Sequence, residues 1–311
     1  MEQPFFSVII PAYNRASILP ETIDSIQQQS FLSWEIIVVD DGSKDNTAEI
    51  IKDLAVRDQR IKYVYQDNAE RSAARNNGAK YAEGRYLFFL DSDDGFEPHH
   101  MHEVHALLQK EAFPVGLVFS NVLYLKETGI ERPEIPDMQE GKGFDYVLRH
   151  PITPSRVCVH RDVFEVFQFD PEIVIVEDQV LWVSIATRFP VFHQKEYTVR
   201  YRIHEGNSID LSRDSYRSRY LGLLRLFNHP KYAEISAQIP TEQKKHMLAE
   251  CAFNRARHHE FVGQILKMNR MLLLSMRHKL LYRNKERVYM FLIHHLIGKL
   301  VLKFMGKGKT I

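Results

Sequence analysis

The chain has 311 residues, enough for one large domain, or a domain plus an appendage, with a sizeable core. Its 44% hydrophobic and 26% charged residues exclude a disordered or fibrous polypeptide. The net charge of +1 conceals two unlike regions: residues 241–311 carry 15 Lys and Arg against 4 Asp and Glu, whereas residues 1–240 carry 26 against 36.

Ser7 to Pro11 is a short apolar, β-branched run closed by proline, which predicts a buried strand. Between Ile18 and Gln29 the residues Ile18, Leu19, Ile23 and Ile26 share one helical face. Glu35 to Val39 predicts a second buried strand, stopped by the turn cluster Asp40-Asp41-Gly42-Ser43. Asp45-Asn46-Thr47 then supplies capping residue types for a helix to Leu54. A third strand is predicted over Ile61 to Tyr65, a third helix over Ser72 to Ala82 and a fourth strand over Tyr86 to Leu90. The imidazole-rich stretch His99 to His105 reads as a solvated helix after Pro98. Only Val104 separates Glu103 from His105, which is not the spacing of a zinc-binding His-Glu-x-x-His helix. Residues 126–155, with Pro133, Pro136, Pro151 and Pro154, predict irregular loop, and Tyr197 to Tyr201 a strand. Beyond about residue 212 the pattern turns helical and basic.

Strands alternating with helices imply an α/β fold with a mostly parallel sheet and right-handed crossovers. Ligands of such sheets sit beyond the carboxyl ends of the strands. Asn14, Asp40 with Asp41, and Asp91 with Asp93 should therefore converge.

Asp91-Ser92-Asp93-Asp94 is the strongest local signal. Carboxylates at alternate positions after a strand can face one cavity, and such hard oxygen ligands suit Mg²⁺ or Mn²⁺. Read without context, the tetrapeptide is a solvated acidic turn. Asp40 and Asp41 can accept hydrogen bonds from a base N–H or ribose hydroxyls, or serve only as a turn and helix cap. Neither a Gly-x-Gly-x-x-Gly fingerprint nor a Walker lysine loop is present. Glu177-Asp178 precedes an apolar helical stretch, where acids are also favoured by the helix dipole.

Four segments occur together in order and spacing: Ser7 to Arg15, Val38 to Ser43, Ala73-Ala74-Arg75-Asn76-Asn77-Gly78, and Phe89 to Asp94. As a set, spanning about residues 5–205, they resemble the family 2 glycosyltransferases with the GT-A fold. The resemblance implies a Rossmann-like mixed sheet flanked by helices. It also implies a nucleotide-sugar donor, a UDP-sugar by preference, a Mn²⁺ or Mg²⁺ cofactor and transfer with inversion. Carried onto this sequence, it assigns the donor to Pro11, Tyr13, Asn14, Asp40, Asp41, Asp91 and Ser92. Arg71 and Arg75 would meet base or phosphate, and Asp93 the metal. Asp178, with Glu177 beside it, takes the place of the general base. Tyr201-Arg202-Ile203-His204 is similar to the family's Tyr-Arg-x-His segment, so that Arg202 would face the diphosphate and His204 the metal or a phosphate. One departure stands out: the family usually has a glycine where this chain has Glu70-Arg71. The Gln-x-x-Arg-Trp motif and membrane spans of the processive members are missing from the sequence, which implies transfer of one sugar per encounter. A nucleotidyltransferase would need similar acids but usually a Gly-rich basic loop after the first strand. A silent nucleotide-sugar-binding protein on this fold would not need Asp93 and Asp178.

The expected organisation is a catalytic domain over 1–212, with the donor held in about 1–110 and the acceptor side and base in about 111–212. A basic, largely helical region, 213–311, would follow. In that region Ile265, Met268, Leu272 and Met276 share a face interleaved with Lys267, Arg270, Arg277 and Lys279. This pattern suits an anionic membrane surface or packing on the catalytic domain. Nucleic acid is not an expected partner, because the catalytic part is acidic and carries no nucleic-acid motif. Two cysteines, Cys158 and Cys251, suit a reducing compartment. No signal peptide is recognised at the start. Val288 to Met305, the nearest approach to a membrane span, is interrupted by His294, His295, Lys299 and Lys303. The expected location is cytoplasmic, at most peripheral on the membrane face, and the expected acceptor a glycan or lipid-linked hydroxyl.

Overall fold

The computed structural model of the protein describes residues 3–203, 215–261 and 263–279. Contacts divide the chain into two compact units, Met1–Ser208 with Pro230–Gln238, and Ile209–His229 with Ile239–Ile311. The segment Pro230–Gln238, expected in the basic C-terminal region, joins the first unit. There the Tyr232 hydroxyl donates to Asp170 Oδ2 at 2.7 Å and Arg188 pairs with Glu234 at 2.9 Å.

The first unit alternates strand and helix as the periodicity requires. In order come β1 Phe6–Ala12, α1 Leu19–Gln27, β2 Trp34–Asp41, α2 Thr47–Arg57, β3 Ile61–Gln66, α3 Glu70–Ala79 and β4 Tyr86–Phe89. These four strands form a parallel sheet in the order β3-β2-β1-β4. Every residue of β1, β2 and β4 is buried, as befits parallel strands covered on both faces. Side chains alternate between the faces. Val8, Ile10, Ile36, Val38 and Phe88 join α1's Leu19, Ile23 and Ile26 in one core. Phe89 turns the other way, toward Phe164, Phe169 and Trp182. On that second face α3 approaches closely at Gly78, where a Cβ would stand 2.6 Å from Ile9 Cγ2 and 2.8 Å from Val39 Cγ2, so only glycine fits.

The sheet then changes direction. The short β5 Gly95–Phe96, α4 His100–Lys110, β6 Leu117–Lys126, β7 Gly129–Glu131, α5 Gly143–Arg149, β8 Val157–His160, α6 Arg161–Val166, α7 Glu177–Ala186 and β9 Val191–Arg202 complete it. The order continues β4-β8-β6-β9-β5. β8 runs antiparallel to both β4 and β6, and β9 lies parallel to β6. This mixed sheet with helices on its faces is the GT-A architecture expected above.

Two local readings change. Residues 126–155 are not all loop: they include β7 and the seven-residue α5, whose Tyr146, Val147 and Leu148 are buried. α4 is not a solvated helix either. His100 is buried with Nδ1 2.7 Å from Thr198 Oγ1, and burial pulls its pKa down to about 3. His105 packs on Phe5 and Phe31. The helix lies against β9, so His100 and His105 serve the core while His102 stays exposed.

α9 Ala233–Gln238 belongs to the first unit. The second unit, within the described residues, is built from α8 Ser215–Asn228, α10 Thr241–Phe261 and α11 Ile265–His278. Met268 and Leu272 of α11 bury against Ala256 of α10 with Phe253 and Met271 alongside. The apolar stripe read from the sequence is thus used, at these two positions, to join the helices of this unit. No described helix is long and apolar enough to cross a membrane. Cys158 and Cys251 are both buried free thiols.

Candidate active site

β1 pairs with β2 on one side and β4 on the other, so the crossover helices leave in opposite directions and open a crevice at the carboxyl ends of these strands. A cavity of about 440 Å³ lies there. Its walls take Pro11, Ala12, Tyr13 and Arg15 from the end of β1, and Asp41 from the end of β2. Asn68, Glu70 and Arg71 come from the start of α3, Asp91, Ser92 and Asp93 from the turn after β4, and Tyr201 from β9. Strand ends separated by up to 80 residues of sequence meet here because the parallel register places them side by side.

The acidic pairs divide their work. Asp40 turns into the protein, where its Oδ1 accepts from Ser43 N at 2.8 Å and its Oδ2 from the Tyr63 hydroxyl at 3.0 Å. Burial and this carboxylate push the Tyr63 pKa up to about 12. Asp41 reaches the cavity, its Oδ1 accepting from Gln66 Nε2 at 2.7 Å and Ala69 N at 2.8 Å. Asp40 does not line the cavity and its bonds shape the turn that presents Asp41. Asn14 plays a similar part. It adopts a positive φ of 53°, its Oδ1 accepts from Lys44 N and its own N–H donates to Ser43 Oγ, tying the loop after β1 to the turn after β2. It does not form the cavity wall.

The turn after β4 is held from several sides. Thr22 Oγ1 of α1 donates to the carbonyls of Ser92 and Asp94, and Ser155 Oγ, which donates to Asp94 Oδ2, accepts from Asp91 N. Arg202 N donates to Asp94 Oδ1. Asp94 is consequently spent inside the protein. Burial first, and then the nearby Asp91 carboxylate, raise its pKa well above the usual carboxylate value. Asp91 and Asp93 are left at the cavity. Arg15, whose Nε donates to Ser92 Oγ at 3.2 Å, stands 3.7 Å from Asp93. Among the described residues no three His, Cys, Asp or Glu side chains gather as a metal-binding group. His204 lies outside the described residues. Arg202 is not part of the wall. Its Nη2 pairs with Glu21 of α1 at 2.6 Å and its Nε reaches the Asp93 carbonyl, so it braces the acidic turn from behind.

Arg75 is the largest departure from the sequence reading. It is 1% exposed and does not line the cavity. Its Nη2 lies 2.5 Å from Asp91 Oδ1 and its Nη1 3.2 Å from Glu177 Oε1, with Phe169 beneath the guanidinium. Burial opposes its charge, but the carboxylates of Asp91 and Glu177 outweigh burial and raise its pKa. Arg71 joins the same cluster at the cavity wall, 3.1 Å from Glu177 Oε1, with Nη2 donating to the Val174 carbonyl. Glu177 is thus the buried acceptor of two arginines, while its neighbour Asp178 is half-buried at the amino end of α7 and accepts from Gln179 N. Val176, just before the helix, takes a left-handed φ of 71°.

Removing one member of a buried ion cluster leaves the others uncompensated, at a cost of about 3–5 kcal/mol. Arg75→Met, close in length, should therefore lower the midpoint of urea unfolding markedly. A midpoint equal to that of the unmodified protein would show that Asp91 and Glu177 do not depend on this cation.

Glu70 explains the departure noted in the sequence. It has a φ of 69°, a left-handed conformation that glycine adopts freely and a side chain resists. A glycine at this position in related chains would meet the same backbone demand at no steric cost, whereas here the strain is accepted and a carboxylate is placed in the cavity wall. Ala12, Arg15, Asn68, Glu70 and Tyr201 are wall residues beyond those the sequence assigns to the site. Ala12 and Arg15 belong to the first matched segment, Glu70 is the departure noted above and Tyr201 belongs to the Tyr-Arg-x-His segment, whereas nothing local marks Asn68.

Residues 7–167 match the family described as Glycosyl transferase family 2. A GalNAc(5)-diNAcBac-PP-undecaprenol beta-1,3-glucosyltransferase of Campylobacter jejuni is 31% identical over 236 residues, covering 72% of this chain and 73% of the relative. The chain spans only 36% of the length of two uncharacterized rickettsial glycosyltransferases that it also matches. Among solved structures, residues 1–349 of S. aureus TarS superpose with a TM-score of 0.60 at 18% identity, covering 91% of this chain and 82% of that one. A Pyrobaculum calidifontis mannosyltransferase in complex with GDP-Man and Mn²⁺ superposes with a TM-score of 0.56 at 17% identity, covering 96% and 81%. With the strand-end cavity, the mixed sheet and the match over residues 7–167 taken together, the chain belongs to the family 2 glycosyltransferases and has their GT-A fold.

Proposed function

We propose that the protein transfers a sugar from a nucleotide-sugar to an acceptor hydroxyl, with inversion and with the help of a divalent cation. The observation that carries this reading is the convergence of Asp41, Asp91 and Asp93 on one cavity at the carboxyl ends of β1, β2 and β4. Asp41 can accept from a base N–H with its second oxygen, and the exposed ring of Tyr13, with Pro11, offers an apolar surface for the base. Asp91 and Ser92 suit ribose hydroxyls. Arg71 and Arg15 bring positive charge to the wall where a diphosphate would lie.

A cation fits the donor set on chemical grounds. Asp91 and Asp93 are hard oxygen ligands, and Mg²⁺ or Mn²⁺ commonly take one or two carboxylates and complete their shell with phosphate oxygens and water. When bound, such an ion would offset the charge that builds on the leaving diphosphate. Asp178 is the proposed base, taking the proton of the acceptor hydroxyl as it attacks the anomeric carbon. A single displacement of this kind inverts the anomeric configuration. Donor contacts would come from residues before about 110 and the acceptor side with the base from about 111–212. The undecaprenol diphosphate in the Campylobacter relative's name supports a lipid-linked glycan as acceptor. The complexes of the structural neighbours with UDP-GlcNAc and with GDP-Man support a nucleotide-sugar donor, and the preference here is for UDP.

Ligand-dependent thermal stability tests the proposal. A donor at one hundred times its Kd should stabilise the protein by about 2.7 kcal/mol, a rise in Tm of several degrees. The rise should be larger with Mn²⁺ or Mg²⁺ and shrink with chelator. If no UDP- or GDP-sugar raises Tm in either condition at millimolar concentration, the donor assignment fails.

A further inference from the structure

The helical unit carries a second cavity of about 660 Å³, lined by side chains of α8, α10 and α11. Five of its lining residues are permanent cations: Arg217 from α8, Arg255 from α10, and Lys267, Arg270 and Arg277 from α11. Among the described residues its lining contains no acid. Leu273 lies on the same rim and is 63% exposed, and Leu266, two turns earlier on α11, is 78% exposed.

The spacing is informative. Leu266, Arg270, Leu273 and Arg277 follow one another at intervals of four, three and four residues, which puts them on one face of α11. The opposite face is already used, because Met268 and Leu272 bury against α10. A helix that has satisfied its packing face yet presents leucines alternating with arginines to the outside is built neither for water nor for a protein core. A purely solvated face would not expose the leucines, and phosphates of nucleic acid would leave them idle. The combination matches the boundary layer of a bilayer, where leucines enter the acyl region and arginines stay at the level of the lipid phosphates.

We infer that this cleft and the outer face of α11 form a binding site for anionic phospholipid headgroups, which holds the protein on a membrane surface. Charge complementarity selects the occupant. Clustered arginines recognise phosphate oxygens through paired N–H donors, and the exposed leucines require that the phosphate belong to an amphiphile. The inference does not depend on the catalytic reading, since none of its residues belongs to the strand-end cavity.

The test uses the full chain in cosedimentation with vesicles of phosphatidylcholine alone and of phosphatidylcholine mixed with phosphatidylglycerol. Binding should require phosphatidylglycerol and weaken as salt is raised. Each cation near an anionic surface contributes about fivefold in affinity, so Arg270→Gln combined with Arg277→Gln should weaken binding about thirtyfold. Both side chains are exposed, so the variant should keep its Tm and its donor-induced stabilisation. Leu273→Ser, which changes no charge, should also reduce binding. Inorganic phosphate at millimolar concentration should not displace the vesicles. Failure of the full chain to bind at low salt overturns the inference. So does unchanged binding by the double variant, displacement by inorganic phosphate, or tighter binding of an oligonucleotide than of vesicles at the same salt.

Discussion

Asp178→Asn is expected to lower the rate of sugar transfer by about two to four orders of magnitude while leaving donor affinity nearly unchanged, the usual scale for loss of a general base. Asparagine keeps the size and can still accept from Gln179 N, the contact that Asp178 Oδ1 makes at 2.6 Å. The start of α7 should therefore keep its shape. What is lost is the capacity to take a proton. The donor-facing wall is formed by the ends of β1, β2 and β4 with the start of α3, elements that do not include Asp178, so nucleotide binding should persist. Glu177 is a poor substitute because Arg71 and Arg75 both hold its Oε1, at 3.1 and 3.2 Å. Donor affinity by calorimetry and single-turnover rates on one preparation decide the matter. Transfer at nearly the unmodified rate removes Asp178 from the role. Loss of donor binding together with rate would place it in the donor site instead.

The second large effect is expected at Asp93. Asp93→Asn should cost roughly three orders of magnitude in turnover, since a cation at a developing charge contributes several kcal/mol and each 1.36 kcal/mol is tenfold. It should also abolish the dependence of nucleotide binding on Mn²⁺ or Mg²⁺, which calorimetry reads without any turnover. Arg15 sharpens the distinction. Its guanidinium stands 3.7 Å from Asp93 and would then lack that carboxylate, so cation-independent binding of the diphosphate should survive or improve. Unmodified activity in excess chelator, or full activity of the variant, would remove the metal from the mechanism.

Much of the catalytic unit could be read from local pattern. The runs Val8 to Ile10, Ile36 to Val39 and Tyr86 to Leu90 are apolar because strands covered on both faces favour such residues, and each lies in or at the end of a buried strand, while the buried Ser7 and Glu35 satisfy each other by a hydrogen bond. Boundaries moved by up to three residues through β4, as at α3, which starts at Glu70 rather than Ser72, and by more at β9, which starts at Val191 rather than Tyr197. His100 misled because an imidazole that is polar by composition can be buried once one nitrogen finds Thr198, a partner 98 residues away.

The sequence by itself determined the strand-helix order, the parallel half of the sheet and the placing of acids at the strand ends, because burial on both faces and turn chemistry act over a few residues. Only the tertiary structure decided which acid of each pair meets the cavity. Asp40 and Asp41 are chemically alike, and it is Tyr63, 23 residues on, that takes Asp40 inward while Gln66 and Ala69 hold Asp41 at the opening. Likewise Ser155, 61 residues from Asp94, draws that carboxylate away and leaves Asp91 and Asp93 at the cavity. Arg75 reads as a ligand contact in sequence and is a buried clamp in space, since its partner Glu177 lies 102 residues away. A strand's alternation states which neighbours oppose each other, but only the long-range partner that satisfies one side chain settles which of them remains to meet a substrate.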